Sequence, residues 1–311
     1  ANYFVWYEFY EKYLFNIYLR YFANDSNQPN KVVDNVDTLS GVNINIRSYI
    51  YSCYSGVDVL VISVLRCSED FTPKHAQWLH RQIRGLRSVC LTDAEHIEGV
   101  ETAPLFYNWP GWWAKMELFN PDHPVIGKED LFYLDIDTVI TGDLHEFTNR
   151  QNMTLLTDFS CMGKENAPAA SGVMFIPARE KYRAWNVFKD NAEQIMSEKR
   201  LPPFHGDQGF ISEIYPEAER WQDVLPGFIV SYKANVATPE MTGFNPELHD
   251  GVANGTVPEN ARIVCFHGSP RPWQTAFKWV PSYSLKNTLK AKIKQFRLSI
   301  RNRVKPTSSI L

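Results

Sequence analysis

Short apolar runs alternate with amphipathic segments through the middle of the chain, and each run predicts a strand. The first, residues 57–65, is rich in β-branched residues, which favour a buried strand. Residues 71–86 have apolar positions at helical spacing, with Pro73 in the expected first turn and Gly85 near the end. Further strands are predicted at residues 88–91, 131–134, 153–156, 172–176 and 263–266, and further helices at residues 112–119 and 181–199. This alternation predicts an α/β fold in which helices cover both faces of a parallel sheet.

The two ends of the chain depart from this alternation. Residues 1–22 contain eleven aromatic residues, and a helix there would pack on the body or on another subunit, or lie in a membrane interface. Residues 23–56 are polar and predict a linker with one strand near residues 42–50. Residues 286–303 predict a second terminal helix, with one apolar stripe formed by Leu285, Leu289, Ile293, Phe296, Ile300 and Val304.

The net charge of −3 conceals an uneven distribution. From Ser282 to the end the chain has eight basic residues and no acidic ones, which leaves 24 basic against 35 acidic residues elsewhere. A basic amphipathic helix of this kind is typical of contact with an anionic membrane surface, here through residues 285–305, and docking on the acidic body is the alternative. Because the excess of basic over acidic residues is confined to this helix and the rest of the chain is acidic, nucleic acid is not an expected partner.

Composition indicates a globular protein with a sizeable core. Of the 311 residues, 44% are hydrophobic and 22% are charged. The chain has no run of about 18 apolar residues, so we expect no transmembrane helix, and its first residues lack the pattern of a signal peptide. The five cysteines lie far apart without a CxxC motif, which predicts a reducing compartment and no zinc site. We therefore expect a cytoplasmic protein, peripheral to the inner face of a membrane.

Two aspartates end the apolar run 131–134 in the sequence Asp135-Ile136-Asp137. In a continuing strand, positions i and i+2 point the same way, roughly 7 Å apart, and Ile136 would face the core. The carboxyl end of a parallel strand is where open α/β sheets bind ligands, and two carboxylates there suit Mg²⁺ or Mn²⁺. A surface turn would not require four apolar residues directly before it.

Two chemistries fit this acidic pair. In one, the aspartates hold a metal ion that bridges the diphosphate of a nucleotide sugar. In the other, Asp135 is a nucleophile towards phosphate and Asp137 its acid, because DIDTV matches the DxDxT motif of haloacid-dehalogenase-like phosphatases, with Asp207 and Glu213 as the late acidic motif. That motif normally opens the first strand of its domain, whereas an apparent β-α-β unit precedes it here. A non-catalytic glycan-binding protein is a further alternative.

A second segment with candidate chemistry, CFHGSPRPW, directly follows the predicted strand 263–266. His267 would supply a third, neutral metal ligand, and Arg271 would clamp a diphosphate. A single histidine more often has a structural role, but its position in a turn of Gly, Pro and Trp after a strand favours the ligand.

These residues together resemble the nucleotide-sugar glycosyltransferases of the GT-A fold, in particular family eight, the glycogenin and lipooligosaccharide galactosyltransferase type, and related polysaccharide-synthesis transferases. Four motifs occur in the family's order, FYLDIDTVITGDL, ASGVMFI, HGDQGFI and FHGSPRPW, and WWAKMELF resembles the helix that carries a basic donor-site residue. The resemblance implies a Rossmann-like mixed α/β sheet with helices on both faces and terminal helical extensions. The implied domains are an extension and linker at 1–56, a catalytic domain at 57–281 with a nucleotide-binding half at 57–143 and an acceptor half at 144–281, and a basic helix at 282–311.

The resemblance also implies roles for single residues. The metal, Mn²⁺ or Mg²⁺, would be held by Asp135, Asp137 and His267. The catalytic residues would be Lys115, Asp207 and Gln208. The nucleotide and the donor sugar would contact Ser63, Val64, Leu65, Arg66, Asp93, Lys115, Asp135, Ser171, Gly172, Arg271 and Trp273.

The activity implied is metal-dependent transfer of a sugar, with a hexose favoured, from a nucleotide-sugar donor to a glycan or lipid-linked acceptor. A UDP-sugar is the favoured donor, and the anomeric configuration is retained if the resemblance is close. Two differences from the family's pattern leave inversion open: Gly268 directly follows His267, and Ser171 stands where Asn is usual. In an inverting enzyme Asp207 would be the general base.

Removal of the basic tail tests its contact with membranes. We expect a chain truncated before Ser282 to lose binding to anionic vesicles, because the eight cationic side chains and the apolar stripe are removed together. Sedimentation with vesicles of anionic and of neutral lipid measures this, and turnover of a soluble substrate, which should persist, is the control. Unchanged vesicle binding would contradict the membrane interpretation.

Overall fold

The structure, a computed structural model, describes residues 59–161, 163–200, 206–238, 241, 253–284, 289 and 293. All of them belong to one compact unit. The predictions for residues 1–56 and for most of the C-terminal basic helix lie outside the described residues, and so does much of the predicted loop 240–260. Leu289 and Ile293 are helical and their side chains are exposed.

Ten strands form two sheets within the described residues. They are β1 Leu60–Leu65, β2 Ser88–Thr92, β3 Glu101–Pro104, β4 Leu131–Leu134, β5 Thr138–Ile140, β6 Thr154–Thr157, β7 Ala169–Ile176, β8 Glu219–Arg220, β9 Ile229–Ser231 and β10 Ile263–Cys265. The large sheet has the order β3-β2-β1-β4-β7-β6-β8, and the small sheet has the order β5-β10-β9. In the large sheet β7 is antiparallel to its neighbours β4 and β6, and every other pair of neighbouring strands is parallel. The mixed α/β sheet that the family resemblance implies is confirmed, whereas the parallel sheet that the alternation alone predicted is wrong for β7.

The α-helices are short. They are α1 Pro73–His80, α2 His145–Thr148, α3 Lys181–Phe188, α4 Ala192–Glu198, α5 Asp207–Ile214 and α6 Trp221–Val224. A 3₁₀ helix, Gly111–Phe119, and a π-helix, Tyr232–Val236, complete the elements that matter for the site. No helix in the described residues combines the length and the apolar character needed to cross a membrane.

Two predicted helices are shorter than their patterns indicate. The helix predicted at residues 71–86 ends with α1, because Ile83 donates to the carbonyl three residues back and Gly85 takes a φ of +73°. The helix predicted at residues 181–199 is divided into α3 and α4 near Asn191, whose side-chain amide donates to a backbone carbonyl four residues back at 3.0 Å.

The predicted helix that carries Lys115 is the 3₁₀ helix Gly111–Phe119. Three residues complete one turn of such a helix, so side chains three positions apart lie on the same face. Trp113, Met116 and Phe119 therefore form one buried face. Lys115 lies off that face and reaches the edge of the sheet where β4 ends.

Two cores lie on opposite faces of the large sheet, because successive side chains of a strand point to opposite sides. In β4, Leu131 and Tyr133 belong to the first core, and Phe132 and Leu134 belong to the second. The first core packs the sheet against α3, α4, α5 and the 3₁₀ helix, and the second packs it against α1, α2, α6 and the small sheet. Burial on both faces explains why this strand is a continuous apolar run.

The order of the strands reverses between β1 and β4. The chain adds β2 and β3 on one side of β1, and β4 then pairs with its other side, all four strands being parallel. A reversal of this kind opens a crevice outside the carboxyl ends of the strands, where open α/β sheets bind ligands. Because β7 is antiparallel to β4, the amino end of β7 lies at the same edge.

His80 fixes α1 against β1 and β2 with a neutral imidazole ring. Its Nε2 lies 2.8 Å from Ser63 Oγ, and its Nδ1 lies 2.9 Å from Ser88 Oγ. Burial lowers the pKa of His80 to about 4. Between pH 6.5 and pH 4 the unfolded chain takes up a proton at this position that the folded chain does not. We therefore expect the His80 contribution to stability, complete above about pH 6.5, to be lost as the pH falls towards 4, by at most about 3 kcal/mol.

Denaturant unfolding at several pH values measures this effect. His80→Gln should lower the stability at pH 7 and should flatten its dependence on pH between 6.5 and 4, because the titrating ring is absent. His96→Gln removes an exposed histidine and is the matched control. The same slope in His80→Gln and in the wild type would show that His80 does not carry the dependence.

Candidate functional site

The crevice at the carboxyl edge of the large sheet gathers several of the charged residues that the sequence indicated. Arg66 follows β1, Asp93 follows β2 and Asp135 follows β4. Ser171 lies near the amino end of β7, and Asp207 is the first residue of α5. Residues far apart in the sequence therefore meet because the strands that carry them share one edge.

Asp135 and Asp137 lie in a tight turn and not in a continuing strand. The strand β4 ends at Leu134, and the backbone N–H of Thr138 donates to the carbonyl of Asp135 at 3.1 Å. The prediction that both aspartates occupy strand positions on one side is thus wrong, because the chain turns here to enter β5 of the small sheet. Ile136 faces a core cluster as predicted.

Lys115 is the centre of the charge cluster on one side of this turn. Its Nζ lies 3.1 Å from Asp135 Oδ1, 3.2 Å from Asp207 Oδ2 and 3.4 Å from Ser171 Oγ. Burial opposes the charge on Lys115, but the two carboxylates outweigh this effect and its pKa is raised. Burial likewise raises the pKa of Asp207, although Lys115 partly offsets that rise. The cluster places one buried cation between two carboxylates.

Two neighbours fix the Asp135 carboxylate. The hydroxyl of Tyr133 donates to Asp135 Oδ1 at 2.5 Å. The backbone N–H of Asp135 donates to the carbonyl of Gly172 at 2.9 Å, and a Cβ on Gly172 would lie only 3.2 Å from Asp135 Oδ2. Gly172 thus allows the carboxylate to lie directly against β7.

Asp137 pairs with a different cation. Arg271 Nη1 donates to Asp137 Oδ2, and the guanidinium lies 4.9 Å from the centre of the Phe71 ring. Burial, and then the charge of Asp135, raise the pKa of the Asp137 carboxyl, while Arg271 opposes the rise. The small sheet explains this pairing. The strand β5, which follows Asp137, is antiparallel to β10, which precedes Arg271.

His267 is exposed, but its ring is held in place. Its Nε2 lies 2.8 Å from the buried hydroxyl of Ser231, and the ring stacks on Phe159 at a centroid distance of 6.0 Å. Desolvation of the ring, together with the nearby charge of Lys233, lowers its pKa, so the imidazole is neutral at pH 7, which is the form that binds metals.

The predicted set of three metal ligands is not assembled as a cluster. Within the described part of the chain, no three His, Cys, Asp or Glu side chains are arranged so that they could hold a metal ion together. The structure does bring Asp135 and Asp137 near enough for their charges to interact. A metal ion at this pair, with or without His267, stays a prediction.

The residues predicted to hold the nucleotide are distributed unevenly between surface and core. Arg66 Nη1 lies 3.2 Å from Asp93 Oδ2, and the N–H of Cys67 donates to the same carboxylate at 2.9 Å, so these groups form one element of the crevice edge. The side chains of Ser63 and Leu65 are buried, and the Ser63 hydroxyl is engaged by His80. Val64 is partly buried against the first core.

The remaining three predicted residues have three different surroundings. Ser171 Oγ donates to Asp207 Oδ2 at 2.8 Å, which joins Ser171 to the Lys115 cluster. The side chain of Gln208 has a separate partner, because its Nε2 donates to Asp158 Oδ2 at 3.3 Å. Trp273 packs in an aromatic group against α1, with its ring 4.3 Å from that of His75, and so supports the segment that carries Arg271.

Sequence reasoning missed several residues that shape this site. Tyr133 lies two positions before Asp135, and the period of two along a strand is the signal that places both side chains on the same side. Asp158, Ser231 and Lys233 follow or end strands, but β9 was not predicted, and no local pattern marks their partners. Their roles depend on contacts between distant segments.

The charge cluster around Lys115 can be tested without any substrate. Lys115→Met leaves the buried Asp207 and the partly exposed Asp135 without their shared cation, and we expect a loss of about 3–5 kcal/mol in unfolding free energy. Asp207→Asn should cost less in the Lys115→Met background than in the wild type, because there it removes a buried charge that has already lost its cation. Denaturant unfolding of the two single variants and the double variant measures the coupling.

An exposed ion pair provides the control for this cycle. Arg87 and Glu101 lie 2.6 Å apart with about half of each side chain exposed, so Arg87→Met should cost less than about 1 kcal/mol. Strictly additive effects of the Lys115 and Asp207 substitutions would refute the shared-cation arrangement.

The solved structures to which the chain is similar include glycosyltransferases, while no family model and no curated protein sequence matches the chain. An active-site mutant of LgtC is similar with a TM-score of 0.47 and 12% identity, over 76% of this chain and 96% of the other. The glycosyltransferase GlyE of Streptococcus pneumoniae gives 0.46 and 14%, over 82% and 67% of the two chains. Mouse xyloside xylosyltransferase 1 gives 0.41 and 13%, over 69% and 98%. All three scores are below 0.5, and the function proposed below is supported by the side chains of this chain.

Proposed function

We propose that this protein is a metal-dependent glycosyltransferase that moves a hexose from a nucleotide sugar, with a UDP-sugar favoured, to a glycan or lipid-linked acceptor. One observation carries the proposal. At the reversal point of the strand order, two adjacent carboxylates each face a cation from a distant segment, Lys115 for Asp135 and Arg271 for Asp137. Carboxylates for a metal ion and cations for phosphate are thus combined where α/β sheets bind nucleotides.

The chemistry of the donor set fits a divalent cation. Asp137 is almost fully buried and lies close to the charge of Asp135, an arrangement whose cost a bound cation would reduce. Mg²⁺ and similar ions are commonly held by one or two carboxylates together with substrate phosphates, so a third protein ligand is not required. When bound, the ion would supply charge stabilisation to the diphosphate leaving group. Asp135 and Asp137 would hold it, and His267 in its neutral form stays a candidate for a third ligand.

Arg271 and Lys115 would then act on opposite sides of the acidic turn. The planar guanidinium of Arg271 can bind two phosphate oxygens at once, and its partner Asp137 would be released to the metal ion. Lys115 is enclosed by Asp135, Asp207 and Ser171, so its main effect is to orient these groups towards the donor sugar. The two cations thus have distinct tasks.

Asp207 and Gln208 would recognise hydroxyl groups of the donor sugar near the reacting carbon. The Asp207 carboxylate is fixed by Lys115 and by the Ser171 hydroxyl, which gives it a defined direction. Burial raises the pKa of Asp207 and the contact with Lys115 offsets only part of that rise, so Asp207 is also suited to be the general base of an inverting reaction, while the family resemblance favours retention. The configuration at the anomeric carbon of the first product, read by NMR, distinguishes the two.

Donor binding and transfer test the proposal. We expect calorimetry with UDP-, GDP- and CMP-sugars to detect one donor in the presence of Mn²⁺ and to lose it with EDTA. Asp137→Ala and His267→Ala should each lower transfer by about 10²–10³-fold while circular dichroism shows an intact fold, because charge stabilisation at the leaving group is removed. Asp190→Ala, at an exposed aspartate on another surface, is the matched control and should retain full activity.

Two results would contradict the proposal. Absence of binding for every donor, with and without metal, would exclude a nucleotide-sugar transferase. Hydrolysis of an aryl phosphate that disappears in Asp135→Asn would instead favour the phosphatase interpretation, in which Asp135 is the nucleophile.

A further inference from the structure

Lys233 and His267 occupy equivalent positions at the ends of two paired strands. The strands β9 and β10 are parallel, and their register pairs Ser231 with Cys265. Lys233 and His267 each lie two residues beyond this last pair. The small sheet therefore delivers both side chains to the same edge, next to the turn that leads to Arg271.

Ser231 joins the two segments. Its hydroxyl lies 2.8 Å from His267 Nε2 and accepts from the backbone N–H of Ala234 at 3.2 Å. The N–H of Ser231 in turn donates to the side chain of Asn235 at 2.8 Å. These contacts hold the π-helix Tyr232–Val236 against the His267 segment. The π-helix is a rare element, and where it occurs it is often at a functional site. This one carries Lys233.

The ammonium of Lys233 reaches the turn after His267. Gly268 has a φ of +74°, and a Cβ built on it would lie 3.6 Å from Lys233 Nζ. Arg271 lies three residues after Gly268 on the same segment. Burial and then the nearby charge of Arg271 lower the pKa of Lys233, as expected for two cations on neighbouring segments. Two like charges held close together repel, and an anion with several negative oxygens would relieve that repulsion.

We propose that Lys233 binds the diphosphate of the donor together with Arg271, as a second cation on the leaving group. This inference rests on the proposed function, and it assigns a task to a residue outside the motifs that suggested that function. The two side chains complement each other, because Arg271 offers a planar pair of donors and Lys233 offers a compact charge. Ser231 is then a positioning residue, since it fixes both the π-helix and His267.

The affinity for nucleoside diphosphate against monophosphate tests this role. The probes are UDP, GDP and CDP with the corresponding monophosphates, titrated by calorimetry with and without Mn²⁺. For the diphosphate that the wild type binds best, Lys233→Met should weaken binding about tenfold to a hundredfold, the effect of losing one hydrogen bond to a charged group. Binding of the matching monophosphate should change little. Lys233→Arg should restore most of the lost affinity, which a purely steric role of the lysine would not predict.

Lys128→Met is the matched control, because Lys128 is exposed and donates to the carbonyl of Pro121 at 2.8 Å, away from the site. Unchanged diphosphate binding in Lys233→Met would overturn the inference. Equal losses for diphosphate and monophosphate would overturn it as well, since they would indicate a general effect on the site. If the wild type binds none of the three diphosphates, the proposed function itself fails. If the wild type and Lys233→Met bind the diphosphate equally well, only the role of Lys233 fails.

Discussion

The ammonium of Lys115 lies 3.1 Å from Asp135 Oδ1 and 3.2 Å from Asp207 Oδ2, and the candidate site is built around these two contacts. Carboxylates buried near one another destabilise a fold unless a cation compensates them. Lys115 supplies that charge from the 3₁₀ helix and thereby ties three elements together: the end of β4, the start of α5 and the amino end of β7 through Ser171. The same contact that stabilises the cluster also fixes the direction of its carboxylates.

A second cluster of charges surrounds Asp137 and has a different origin. It depends on the small sheet, which places the segment after β10 beside the turn after β4. Arg271 reaches Asp137 from that segment, and Lys233 arrives from the neighbouring parallel strand β9. One cluster is therefore carried by the large sheet and its first core, and the other by the small sheet and the second core. The acidic turn Asp135-Ile136-Asp137 is the point at which the two meet.

Several features of this arrangement could be predicted from local sequence. The strands β1, β2, β4, β7 and β10 are apolar runs because both faces of each are buried, and their positions were predicted to within a few residues. Strands β3, β5, β8 and β9 were missed, because two to four residues are too few to show a period and, unlike β4 and β10, these strands are not part of a run of four apolar residues. The lengths of the helices were overestimated where side chains such as that of Asn191 bond to the backbone and interrupt an otherwise helical pattern.

The sequence by itself determined the α/β class and the acidic pair after a buried strand, because these depend on residue types in recognisable elements. Position after a predicted strand made His267 and Arg271 candidates, and the resemblance to a family did so for Lys115 and Asp207; their roles stay predictions. Only the tertiary structure decided which charges meet. It paired Asp135 with Lys115 and Asp137 with Arg271, it buried the side chains of Ser63 and Leu65 in the core, and it brought Lys233 to the turn after His267. The physical reason is that strand order and register set these distances, and both arise from pairing between segments that are far apart in the chain.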